Sequence, residues 1–186
     1  MLTQRIIGAF TFRKGVYKDV EHDPSFTGSA WLIVVVVALL NQLGTFGFGA
    51  RWLLATLIGT VASVVGFAIA AYVITWVGKG VYKADVTFDE MVRTLGLAYV
   101  WRVIGVLGIL GGFLSCLLSP VLIVAFVLGL IAWFVAAKEA LDLEWGQTII
   151  TVILGWLVIL VISIITGLIL GALGVGAASV WSAFGF

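Results

Sequence analysis

Residues 95–137 read LGLAYVWRVIGVLGILGGFLSCLLSPVLIVAFVLGLIAWFVAA, a run of 43 residues with one charge, Arg102. As α-helix this run is about 65 Å long at 1.5 Å per residue, roughly twice the ~30 Å hydrocarbon thickness of a bilayer. It must therefore cross a membrane twice with almost no connector. The reversal is expected between Gly111-Gly112 and Ser119-Pro120, where glycine and proline both disfavour helix. If Tyr99 and Trp101 mark an interface, only residues 103–137 remain in hydrocarbon, short of two ~20-residue crossings. Either Arg102 then lies inside the boundary and snorkels or pairs, or the two helices thin the bilayer locally.

The rest of the chain fits the same class. Of 186 residues, 63% are hydrophobic and 10% charged, and the mean hydropathy is +1.26. A soluble domain is nearer half apolar and a quarter charged, so an all-α polytopic membrane bundle is expected, with no separate soluble domain. Cys116 and His22 stand alone in their residue types, which excludes an internal disulfide and any zinc site built on several histidines. The first 28 residues lack the compact apolar core of a cleavable signal.

Residues 1–25 form an amphipathic segment. Leu2, Ile6, Phe10, Tyr17 and Val20 recur at helical spacing, with Arg5, Arg13, Lys14 and Lys18 between them. Such a helix suits the headgroup plane, its cations toward anionic phosphates; the alternative is that it packs under the bundle. Asp23-Pro24 ends it. Residues 26–186 then hold five spans, near 29–46, 52–77, 95–113, 116–137 and 148–173. Trp31 opens the first at an interface. Asn41 and Gln42, at its far end, are expected to reach water, the alternative being hydrogen bonds to neighbouring helices. The short glycine-rich linker 44–51 forces a hairpin with the second span, which Trp52 brackets at one end and Tyr72 and Trp76 at the other. Thr87 followed by Glu90 is a capping-box pattern starting a helix near Phe88. Small residues suited to close helix contact recur as Ala62, Gly66 and Ala70 in the second span, Gly105, Gly108 and Gly112 in the third, and Gly167 and Gly171 in the fifth.

Five spans place nine of the ten cations on one side, with Arg51 alone on the other, so the N-terminus is expected in the cytoplasm and the C-terminus outside. All nine acids fall on that same cytoplasmic side. They either pair with the cations in a compact layer or form a surface for a partner. Arg102 is expected to tie the third span to this layer through Glu90, Glu139 or Glu144.

Chemistry is sparse. No span carries a carboxylate of the kind that ion-coupled transport uses. There is no glycine-rich phosphate loop, no metalloprotease motif and no histidine placed to activate a serine within the bilayer. No enzyme, cofactor or nucleic-acid partner is therefore expected.

The order of segments resembles the Yip family of small membrane proteins, over nearly the whole chain. The resemblance rests on residues 17–31 with Asp23-Pro24 just before the first span, the amphipathic stretch 88–101 leading into the third, and residues 133–148 leading into the fifth. It implies the five-span fold. Eukaryotic members associate with prenylated Rab proteins and with one another. Their Asp-Leu-Tyr-Gly-Pro motif is absent here, so the chain looks like a bacterial member of the cytoplasmic membrane, and Rab binding is not carried over. The function expected is a non-enzymatic scaffold or accessory subunit, binding another membrane protein or a second copy in contact with membrane lipids. The alternatives are a transporter or channel for a small or lipophilic solute, and a lipid-binding or membrane-shaping protein.

Overall fold

A computed structural model describes residues 2–46 and 51–173, without the side chains of 111–113, 115 and 116. Linker residues 47–50, the tail 174–186, and the surroundings of Gly112 and Cys116 lie outside the described residues. Seven α-helices follow in order: α1 (Leu2–Phe10), α2 (Val16–Glu21), α3 (Thr27–Phe46), α4 (Trp52–Tyr82), α5 (Phe88–Ala98), α6 (Gly111–Leu141) and α7 (Trp145–Ala172). A 3-10 turn, Pro24–Phe26, precedes α3, and a 3-10 helix, Tyr99–Leu110, joins α5 to α6. There is no strand among the described residues. Five stretches are long and apolar enough to cross a membrane: Pro24–Phe46, Trp52–Tyr82, Phe88–Leu110, Leu117–Leu141 and Trp145–Ala172.

The third crossing solves its length problem by changing helix type. A 3-10 helix rises about 2.0 Å per residue, so the twelve residues Tyr99–Leu110 reach roughly 24 Å where α-helix would give roughly 18 Å. With no residue outside a helix between them, Leu110 passes directly into α6. The reversal expected between Gly111-Gly112 and Ser119-Pro120 leaves no non-helical residue there, since α6 starts at Gly111 and contains Pro120. At the other end the capping box forms: Thr87 Oγ1 accepts from the Glu90 amide at 3.3 Å, and a Glu90 carboxylate oxygen accepts from the Thr87 amide at 2.6 Å.

The third span is central. α3 packs along the 3-10 helix, α6 covers its other side, and α4 pairs with α7. Phe67 of α4 lies fully buried at the middle of the bundle, edge-on to Trp31 at 5.8 Å, Tyr99 at 5.4 Å and Trp133 at 6.1 Å. Trp31, half-buried, thus touches the core through Phe67. Tyr99 and Trp101 are buried as well, Tyr99 against Phe67 and Trp101 under Phe10 and Phe12. Tyr72 and Trp76 do project outward, 60% and 64% exposed, where aromatic side chains meet headgroups.

Helices in lipid gain little from burying apolar surface against one another, so close approach and interhelical hydrogen bonds carry more weight. The tightest approach is α3 to the 3-10 helix. A Cβ on Gly44 would fall on the Gly105 carbonyl, and one on Gly108 would lie 2.6 Å from the Gly44 carbonyl. The α4–α7 seam is looser at Gly66, whose Cβ would meet Ile162 at an ordinary 3.7 Å, and tighter at Gly155, where Ile74 would be 2.7 Å away.

Candidate functional site

The bundle has two chemically different ends. One carries the N-terminal segment, the α4–α5 and α6–α7 connections, and nearly all the charge; it is the charged end. The other holds Arg51.

At the charged end α2 is docked on the bundle. Val16, Tyr17 and Val20 are fully buried, each worth about 1.5–3 kcal/mol of burial where water is the alternative. Arg93, buried in α5, donates from Nε to the Val20 and Glu21 carbonyls, both at 3.1 Å. It also donates from Nη1 to Thr27 Oγ1 at 3.2 Å, and from Nη2 to the Glu21 carbonyl. These carbonyls close the last turn of α2, where unpaired acceptors and the negative helix end favour a cation. A Glu139 carboxylate oxygen accepts from the Lys18 amide at 3.0 Å, Lys18 Nζ bridges to Asp142 at 2.7 Å, and Arg5 pairs with Asp23 at 2.7 Å. Further along, the Trp101 indole donates to the Ala9 carbonyl at 3.3 Å, with Phe10 and Phe12 against its ring. α1 is amphipathic and keeps Leu2 and Ile7 exposed.

This setting moves several ionisation constants. Burial raises the Tyr17 phenol, and Glu139 nearby adds to the shift. The Asp142 hydrogen bond raises Lys18 above its ordinary range. Desolvation raises Glu21, whose Oε2 is buried without a hydrogen-bond partner, against smaller lowering by Lys18 and His22. Asp23 is lowered by its hydrogen bonds from Ser25 and then Arg5.

The other end contains a cavity of about 550 Å³ between α3, α4, the 3-10 helix, α6 and α7. Phe67, Tyr99 and Trp133 line it toward the charged end, and Phe46, Leu122 and Leu170 line it toward the far end. Its polar wall is Asn41, Gln42, Thr45, Ser63, Ser163 and Thr166, with Arg102 the one charged residue in the lining among the described residues. Asn41 donates to the Arg102 carbonyl at 3.1 Å and Gln42 to Ser63 Oγ at 2.9 Å. Both amides therefore bond to neighbouring helices, Asn41 lying against Gly105 and Gln42 against Gly59.

Of the residues singled out by sequence, Glu139 of α6 accepts from the Lys18 amide of α2, and Arg13 and Lys14 are exposed beside it, Arg13 within 3.5 Å of Asp19. Glu90 serves the cap and lies 4.0 Å from Arg93. Glu144 is exposed ahead of α7. The structure does not bring Arg102 to these carboxylates: its guanidinium meets Tyr99, 3.4 Å from the hydroxyl and 5.3 Å from the ring centre. Gly66 and Ala70 are buried on the α7 seam, Ala62 lines the cavity, and Gly105 and Gly108 face α3. Gly167 is buried, while Gly171 has open space beside it. Sequence reasoning missed Arg93 as the residue holding α2, although its place between apolar Met91, Val92 and Leu95 was the available signal. Gly44, read only as linker, was missed too.

An integral multi-pass membrane protein, all-α and with a docked polar N-terminal segment, is what this fold defines. The family model for the Yip1 domain matches residues 7–167, and the chain belongs to the Yip1 family. No curated protein and no solved structure matches it.

Proposed function

We propose that the chain is a non-enzymatic scaffold or accessory subunit that binds another membrane protein, or a second copy of itself, through its charged end. The observation that carries this reading is the fixing of α2 by Arg93 and Glu139. It leaves a set surface on which Arg13, Lys14, Lys79, Lys83, Asp89 and Glu144 are exposed. A rigid surface with interspersed charges of both signs supplies orientation and specificity for a partner. The reactive residue types are dispersed: His22 is on the charged end, bonded to the Lys18 carbonyl, whereas Thr45, Ser63, Ser163 and Thr166 line the far cavity. The bundle is read as having its charged end in the cytoplasm of a bacterial cell, supported by the cation bias. The missing Rab-associated motif supports the bacterial reading.

Native mass measurement after purification in a mild detergent tests the proposal. A defined complex is expected, and it should dissociate when Lys14, Lys79 and Lys83 are reversed to glutamate. A strictly monomeric 19.8 kDa species would contradict it.

A further inference from the structure

The charged-end reading leaves the cavity and Arg102 unexplained. We propose that this cavity binds a single-chain amphiphile with an anionic head, of the long-chain fatty acid class, with the head at Arg102 and the chain along the aromatic and aliphatic wall. Its volume, about 550 Å³, lies within the ~300–1,000 Å³ of small-ligand pockets and is too small for a two-chain phospholipid. The walls are parts of membrane-crossing helices, so the ligand comes from the bilayer. Phe67, Leu130, Trp133, Trp156, Ile159 and Leu170 suit an alkyl chain.

The head is assigned by charge. A guanidinium has five N–H donors. Among the described residues, Arg102 uses one on the Tyr99 hydroxyl, at a long 3.4 Å, and has no carboxylate within ion-pair distance. A cation held inside a membrane bundle needs a counter-charge or water. The neighbouring side chains offer neutral groups, several already committed: Asn41 to the Arg102 carbonyl, Thr45 to the Asn41 carbonyl and Thr166 to the Ile162 carbonyl. An anionic oxygen pair would accept from the guanidinium edge while the Tyr99 ring supports its face.

Trp101, Trp133 and Trp156 all line the cavity, which gives a direct readout. The full chain in nanodiscs of zwitterionic lipid is titrated with spin-labelled stearic acid, and tryptophan quenching is followed. Saturable quenching is expected with the acid, at least tenfold weaker binding with its methyl ester, and at least tenfold weaker binding of the acid to Arg102→Gln, about 1.4 kcal/mol. Arg102→Lys should recover part of the loss. Ala62→Phe, which fills the cavity without touching the charge, should abolish saturable quenching in a protein that still elutes as wild type. Displacement by stearate assigns the head to a carboxylate, and stronger displacement by lysophosphatidate assigns it to a phosphate; either supports an anionic-head site. Equal affinity for acid and ester, or unchanged affinity in Arg102→Gln, would overturn the proposal.

Discussion

A guanidinium taken out of water needs an acceptor for its N–H groups, and Arg93 finds the Val20 and Glu21 carbonyls and the Thr27 hydroxyl. Hydrogen bonds to a charged group contribute about 1.5–3 kcal/mol each, and their loss strands buried carbonyls. Arg93→Met should therefore cost about 3 kcal/mol or more in denaturant unfolding and release α2 to proteolysis. Lys18→Met, which deletes a bridge whose partners are 42% and 71% exposed, should cost less than about 1 kcal/mol. Glu21 gives a pH signature. Its carboxyl is raised by desolvation from an ordinary 4.5, so the folded state binds the proton more tightly than the unfolded state. Its unfavourable contribution is absent below about pH 4.5 and grows as pH rises through the raised value. In stability measured from pH 4 to 8, Glu21→Gln should gain on wild type as pH rises; a constant difference would show that the carboxyl is solvated.

At the scale of elements, glycine contacts sort by what their missing Cβ would meet. Gly44→Ala would drive a methyl into backbone at Gly105, which cannot swing aside, and should cost about 2 kcal/mol or more. Gly66→Ala meets Ile162 at ordinary distance, and should be neutral or slightly stabilising, since alanine favours helix by up to ~1 kcal/mol. Thermal unfolding of the two variants in one detergent decides between them. The small-residue spacing in the sequence identified Gly66, Gly105 and Gly108 alike, because spacing records which residues share a face and not how near the neighbour comes. Five crossings and the Thr87 cap were legible, since hydropathy and capping are local. The 3-10 helix was not. Residues 99–110 contain nothing that forbids α-helix; their stretched form arises with α3 and α6 packed on either side. The same limit hid the pairing of Arg102 with Tyr99, three residues away on its own span, behind distant carboxylates that charge counting made attractive.

For the whole molecule, most of the charge lies at one end, and the cavity runs from the middle of the bundle toward the other. Burial of Trp101 under Ala9 and Phe10 joins the N-terminal segment to the third span. Cysteine substitutions at exposed Lys83 and Arg51 fix the orientation. An impermeant thiol reagent applied to intact cells should label Arg51→Cys and spare Lys83→Cys, with the Cys116→Ser background removing the native thiol. The partner-binding reading is tested most directly by photo-crosslinking in intact membranes from Lys14, Lys83 and Glu144, compared with lipid-facing Ile123 and Leu168, which are 59% and 66% exposed. The expected result is one discrete protein adduct, shared by the three charged-end positions and absent from the two lipid-facing ones. Adducts of equal strength from both sets, or none from the charged end, would contradict it.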